Sequence, residues 1–167
     1  PTTATTTGTV SIAQATTFVG VVSQGGGNAA FNDTATTGVG TFYGCIALSP
    51  TGHGWLMGNT SVSANFFGCT VYGATTDGIR WSALTTGGCA VVGCLFSDCP
   101  GVAINNATGG NLAVVTRECN AFFNCGTNES GFGDSPAFFS QQEVASPFVN
   151  APTDLTLAAA ALARQTG

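Results

Sequence analysis

Few side chains in this sequence can do acid–base, nucleophilic or metal chemistry. The 167 residues hold one His (His53), three Arg (Arg80, Arg117 and Arg164), no Lys, eight acids and seven Cys. His53 lies in Gly52-His53-Gly54, and Arg80 follows in Gly78-Ile79-Arg80. Acid–base hydrolysis calls for a general acid and a general base held on opposite sides of the reacting bond. Only Asp33 precedes His53 among the carboxylates. A Ca²⁺ site needs roughly six to eight converging oxygens. The acids Asp33, Asp77, Asp98, Glu118, Glu129, Asp134, Glu143 and Asp154 fall at differing offsets instead: Asp77 is eight residues after Cys69, Asp98 four after Cys94. A zinc site needs ligands from several directions, and there is a single His. Gly25-Gly26-Gly27 lacks the Lys-Ser/Thr of a phosphate loop and reads as a turn. The expectation is no catalytic residue, no metal and no cofactor.

The cysteines point to architecture. Cys45, Cys69, Cys94 and Cys119 recur at intervals of 24, 25 and 25 residues, each after a short apolar run such as Phe42-Tyr43-Gly44 or Val91-Val92-Gly93. A second segment repeats between them, as Gly54-Trp55-Leu56-Met57, Gly78-Ile79-Arg80-Trp81 and Gly101-Val102-Ala103-Ile104. A fixed period of this size marks a solenoid. The expected fold is all-β, a single-stranded parallel β-helix of roughly six coils of about 24–25 residues over residues 10–145. A Thr-rich tail (1–9) precedes it and a closing segment (146–167) follows. Side chains alternate along a strand, which places Tyr43, Cys45 and Ala47 inward, with Phe67, Cys69, Val71 and then Val92, Cys94, Phe96. Cys45, Cys69, Cys94 and Cys119 then form a core ladder of thiols, buried as small apolar groups. Cys99 and Cys125 suggest a shorter ladder, and Cys89 fits neither. Disulfides between neighbouring rungs stay open, although seven is odd and leaves at least one thiol unpaired within the chain. Arg117 shares parity with Cys119. An inward Arg is costly, so a bulge is expected near Thr116 to Glu118. Leu157 to Arg164 is Ala-rich and reads as a capping turn, a helix or an extended segment.

Composition narrows the partners. With charged residues at 7% and no Lys, nucleic acid and anionic membrane surfaces are poor fits. No apolar run approaches a membrane span. Pro1 is not a natural start, so a processed chain or a portion of a longer one is expected. Sequons begin at Asn32, Asn59, Asn106 and Asn128. The Thr-rich turns form only a ragged column, unlike the regular Thr face of an ice-binding solenoid.

Runs such as Val91-Val92-Gly93-Cys94-Leu95-Phe96-Ser97-Asp98-Cys99 resemble the coils of right-handed parallel β-helix proteins of the pectate-lyase-like and polygalacturonase-like superfold. Ser146 to Gly167 is similar to the closing segment of many bacterial β-helix proteins. Gly52-His53-Gly54 and Gly78-Ile79-Arg80 look like the Gly-His-Gly and Arg-Ile-Lys motifs of polygalacturonase-type hydrolases. Here Cys45-Ile46-Ala47-Leu48 stands where that family has a paired Asp, Trp81 follows Arg80, and no Lys comes next. The resemblance thus implies the architecture without its catalytic residues, and the superfold hosts many functions. The reading is a non-enzymatic structural or adhesive module, an extracellular or cell-surface filament or appendage subunit of viral or bacterial kind. Its partners are copies of itself, joined end to end through the tail residues Pro1, Thr2, Thr3, Thr5, Thr6 and Thr7. The alternative is a carbohydrate-binding or vestigial polygalacturonase-like domain, with surface glycans held at His53, Trp55, Arg80 and Trp81.

Overall fold

The structure, a computed structural model, describes residues 5–33, 38–58, 62–83, 88–108, 115–132 and 137–158. It is a parallel β-solenoid of about five turns, three strands to a turn. The first turn is β1 (Thr5–Thr7), β2 (Val10–Ile12) and β3 (Thr16–Val19); the second is β4 (Val22–Gln24), β5 (Ala29–Asp33) and β6 (Gly38–Tyr43). Next come β7 (Ile46–Leu48), β8 (His53–Met57) and β9 (Val62–Phe67), then β10 (Thr70–Tyr72), β11 (Ile79–Trp81) and β12 (Cys89–Val92). The fifth turn is β13 (Leu95–Ser97), β14 (Val102–Asn106) and β15 (Val115–Glu118); β16 (Ala121–Phe123), β17 (Thr127–Ser130) and β18 (Gln141–Gln142) begin further rungs. Equivalent strands stack in three parallel sheets, the first running β1-β4-β7-β10-β13-β16-β18.

The corners explain the period. Gly44, Gly68, Gly93 and Cys119 have φ of +57°, +60°, +63° and +54°. Each sits between a third-sheet strand and the next first-sheet strand and donates its N–H to the rung above, as Gly44 does to Phe67 O at 2.9 Å. Glycine takes this left-handed conformation at little cost. The run from Phe42 to Leu48, read above as one strand, is therefore two strands in different sheets. Alternation does not carry across the corner. Phe42 and Cys45 both face inward and are fully buried, whereas Tyr43 is 45% exposed. The expected inward positions Tyr43, Phe67 and Val92 are corrected to Phe42, Phe66 and Val91.

Inward side chains make columns along the axis. Phe18, Phe42 and Phe66 stack at centroid distances of 5.2 and 5.0 Å, with ring planes within 6°. Phe31 stacks on Trp55 at 4.7 Å in the second sheet, and the two columns meet edge to face, Phe42 to Trp55 at 5.9 Å.

The last turn departs from two expectations. No bulge interrupts β15: Cys89, Ala90, Val91 and Val92 pair in unbroken register with Val115, Thr116, Arg117 and Glu118. Arg117 does point inward, above Val91, and is 2% exposed. Its guanidinium lies 4.0 Å from the Phe132 ring centroid, and its Nε is 3.4 Å from Glu129 Oε2. Cys119 occupies the corner that glycine holds in the turns before, so Asn120 takes the ladder position after Cys94. Its amide mimics a backbone rung, accepting from Cys94 N–H and donating to Val91 O, both at 3.0 Å.

Phe148–Asn150 (β19) and Asp154–Leu157 (β20) form an antiparallel hairpin. Phe148, Leu155 and Leu157 pack with Tyr72, Leu95 and Ala121 on the outer face of the first sheet. Residues 146–158 of the closing segment thus lie along the flank of the solenoid, and the expected Ala-rich turn or helix lies mostly outside the described residues.

Candidate functional site

His53 opens β8, and Arg80 is the outward residue of β11, one turn on. Between them the structure places a residue that spacing did not single out, Asp77. Arg80 Nη1 donates to Asp77 Oδ2 at 2.9 Å, Asn105 Nδ2 donates to the same oxygen at 2.9 Å, and Val102 N–H donates to Oδ1 at 2.9 Å. Asp77 N–H reaches His53 Nδ1 at 3.3 Å, and the Thr76 hydroxyl lies 2.8 Å from the same nitrogen. Nδ1 is thus an acceptor, and the ring is neutral with its proton on Nε2. The 3.6 Å approach of His53 Nδ1 to Asp77 Oδ2 becomes an ion pair only on protonation. The signal for Asp77 was present: it is three residues before Arg80 and 24 after His53.

Burial holds the His53 imidazole below its ordinary value of 6.5, with Arg80 adding to that and Asp77 opposing it. Burial also works against the Asp77 carboxylate, but hydrogen bonds from Val102, Asn105 and Arg80, together with His53, outweigh it and leave the carboxyl below 3.8. Both shifts have the same consequence. Each favours the form present at neutral pH, so stability is full above the ordinary value and lost as pH falls through the folded one. Resistance to urea should weaken below about pH 6.5, and again below about pH 4. Asp77→Ala should cost about 2–3 kcal/mol at pH 7, because Val102 N–H and Arg80 lose a charged acceptor, and should flatten the acid limb. An acid limb unchanged in that variant would refute the assignment. Chemically the cluster is a clamp across three turns: its carboxylate is already occupied by three donors.

The aromatic half of the expected glycan face is on the other side of the sheet. Trp55 and Trp81 are both 0% exposed. In Ile79-Arg80-Trp81, alternation sends Arg80 out and its neighbours in. Trp81 meets Phe66 and Phe132 edge-on at 6.1 and 6.3 Å. His53 and Arg80 are brought together; Trp55 and Trp81 are removed from them into the core.

None of the seven cysteines is in a disulfide. Cys69 donates to Phe42 O at 3.4 Å and Cys94 to Phe66 O at 3.6 Å. The Cys45 thiol, hydrogen-bonded to Cys69 and buried, is pushed above its ordinary value, which suits inert core groups rather than nucleophiles. Cys119, expected in this ladder, stands at the corner beside it.

The expected joining tail is partly built into the solenoid. Thr5, Thr6 and Thr7 pair in parallel with Val22, Ser23 and Gln24, while Pro1, Thr2 and Thr3 lie outside the described residues. At the opposite end is a cavity of about 540 Å³ lined by Phe122, Thr127, Asn128, Glu129, Ser140, Gln141 and neighbours.

Comparison of the chain with protein-family models, curated proteins and solved structures finds no match.

Proposed function

We propose that the chain is a structural or adhesive β-solenoid module that joins copies of itself end to end, within an extracellular filament or a viral or bacterial appendage. Right-handed winding and kinship with the pectate-lyase-like superfold belong to the same reading. The observation that carries it is the state of the ends. Among the described residues the terminal strands β1, β2 and β3 each have a neighbour on one side only. The last rungs leave Phe138 51%, Phe139 79% and Val144 93% exposed. Open strand edges pair readily with further strands, and apolar groups at a solenoid end favour a further coil over water. Contacts that join one end to the other without closing a ring propagate as a filament.

Phe139 lies at the exposed end, so changing it leaves the buried columns untouched. Phe139→Asp should shift sedimentation from large species to monomer at concentrations where the wild type associates, with the β-sheet circular dichroism unchanged. Equal association of the two proteins would contradict the reading.

A further inference from the structure

The cavity at the C-terminal end is an open hollow over the last rungs, between β16, β17 and residues 137–142. In the second sheet the inward column runs Val10, Phe31, Trp55, Ile79, Ile104 and then Glu129. An acid thus replaces a hydrocarbon on the last rung. One of its oxygens, Oε2, faces Arg117. The other, Oε1, is buried with no hydrogen-bond partner among the described residues, and so is Ser140 Oγ. Thr127, Asn128, Gln141 and Gln142 complete the polar lining over Phe122. At about 540 Å³ the space far exceeds the roughly 30 Å³ of one water.

The lining selects its occupant by exclusion. An anion meets the Glu129 carboxylate. A cation meets Arg117 on that carboxylate's other oxygen. A hydrocarbon leaves two buried polar atoms unpaired, which costs free energy. What fits is an uncharged group rich in hydroxyl and amide donors, and the side chains of the stretch that precedes β1 in the sequence have those properties.

Register supplies the placement. Thr5, Val22, Ile46, Thr70, Leu95, Ala121 and Gln141 form one unbroken column through the first sheet. A second copy that continues this column sets its Thr5 over Gln141, and therefore its Ala4 over Ser140. We propose that the cavity is the socket of a head-to-tail joint and receives the Pro1-Thr2-Thr3-Ala4 stretch of a second copy, whose β1 adds to β18. This rests on the end-to-end reading and specifies its joint. The stretch carries two Thr hydroxyls and no charged side chain.

The test is a cross-link. Neighbouring parallel strands lie roughly 4.8 Å apart, inside the Cα separation of about 4.4–6.8 Å that a disulfide spans. Within one chain the neighbouring positions Thr5 and Gln141 are six rungs apart, roughly 29 Å, so the bond tested is one between copies. The full chain carrying both Ala4→Cys and Ser140→Cys, oxidised with dithiodipyridine, should give a ladder of covalent dimers, trimers and longer species. Each single variant should give none, which also controls for the native thiols. Thr2→Asp with Thr3→Asp should weaken association at least tenfold, with circular dichroism unchanged. If the protein associates but the double-cysteine chain does not cross-link, the socket is wrong and the end-to-end reading survives. If dimers form from Ala4→Cys alone, the joint is head-to-head and the proposal falls. If nothing associates at any concentration, both fall. If monomeric wild type takes up neutral methyl glycosides at this cavity and association is indifferent to them, a sugar is the occupant and the segment assignment is overturned.

Discussion

Truncating Phe42 to alanine should lower the free energy of unfolding by about 3–5 kcal/mol, as deletion of a fully buried aromatic ring does. Phe42 is 0% exposed. It touches both columns of the core, stacked between Phe18 and Phe66 and edge-on to Phe31 and Trp55. Three successive turns would border the void, so the site cannot collapse by moving one neighbour. The next residue is the control. Tyr43 stacks on Phe67 at 5.2 Å but is on the outside, and Tyr43→Ala should cost less than about 1 kcal/mol. Urea unfolding followed by fluorescence of the buried Trp55 and Trp81 measures both. Strict alternation through Gly44 predicts the opposite ranking, so equal losses, or a larger one for Tyr43, would reject the corner.

The second large effect is at the ion pair of the last turn. Glu129→Ala should cost about 3–5 kcal/mol, since it removes the carboxylate facing an Arg that is 2% exposed. The pair itself is not a strong source of stability. Burial pushes the Glu129 carboxyl above its ordinary value, and Arg117 offsets only part of that. A raised acid pKa means the folded state prefers the protonated form, so stability declines as pH rises from the ordinary value of 4.5 through the folded one. Replacing both partners by hydrocarbon should therefore recover what the single change loses. Arg117→Met with Glu129→Leu is expected within about 1 kcal/mol of wild type. A double variant as unstable as Glu129→Ala would show that another property of these two residues matters.

Those two sites mark how far the sequence could be read. The period, the parallel stacking and the inward thiols at Cys45, Cys69 and Cys94 were legible, because each turn repeats the same corner and strand. Parity misled where a left-handed corner intervenes: Gly44 reads as one more alternating residue, yet it resets which face is inward. The same rule, applied within Ile79-Arg80-Trp81, would have placed Trp81 in the core, since Arg80 cannot share that face. Arg117 was read as too costly to bury. Its partners, Glu129 and Phe132, come from a later strand and the residues after it, and spacing alone does not pair them. Asn120 escaped notice because the 25-residue interval lands on Cys119; an extra residue in that turn moves the ladder by one. Asp77 shares no repeat offset with the other acids, so spacing gives it no partner. Its role is a contact between turns, among His53, Arg80 and Asn105.

The central claim is end-to-end assembly, and the most direct measurement is negative-stain electron microscopy of the purified chain at neutral pH without added ligand. The account predicts uniform unbranched fibres with an axial repeat of roughly 34 Å, the height of the seven first-sheet rungs that one copy contributes, about 4.8 Å apart. Isolated short rods at every concentration would contradict it.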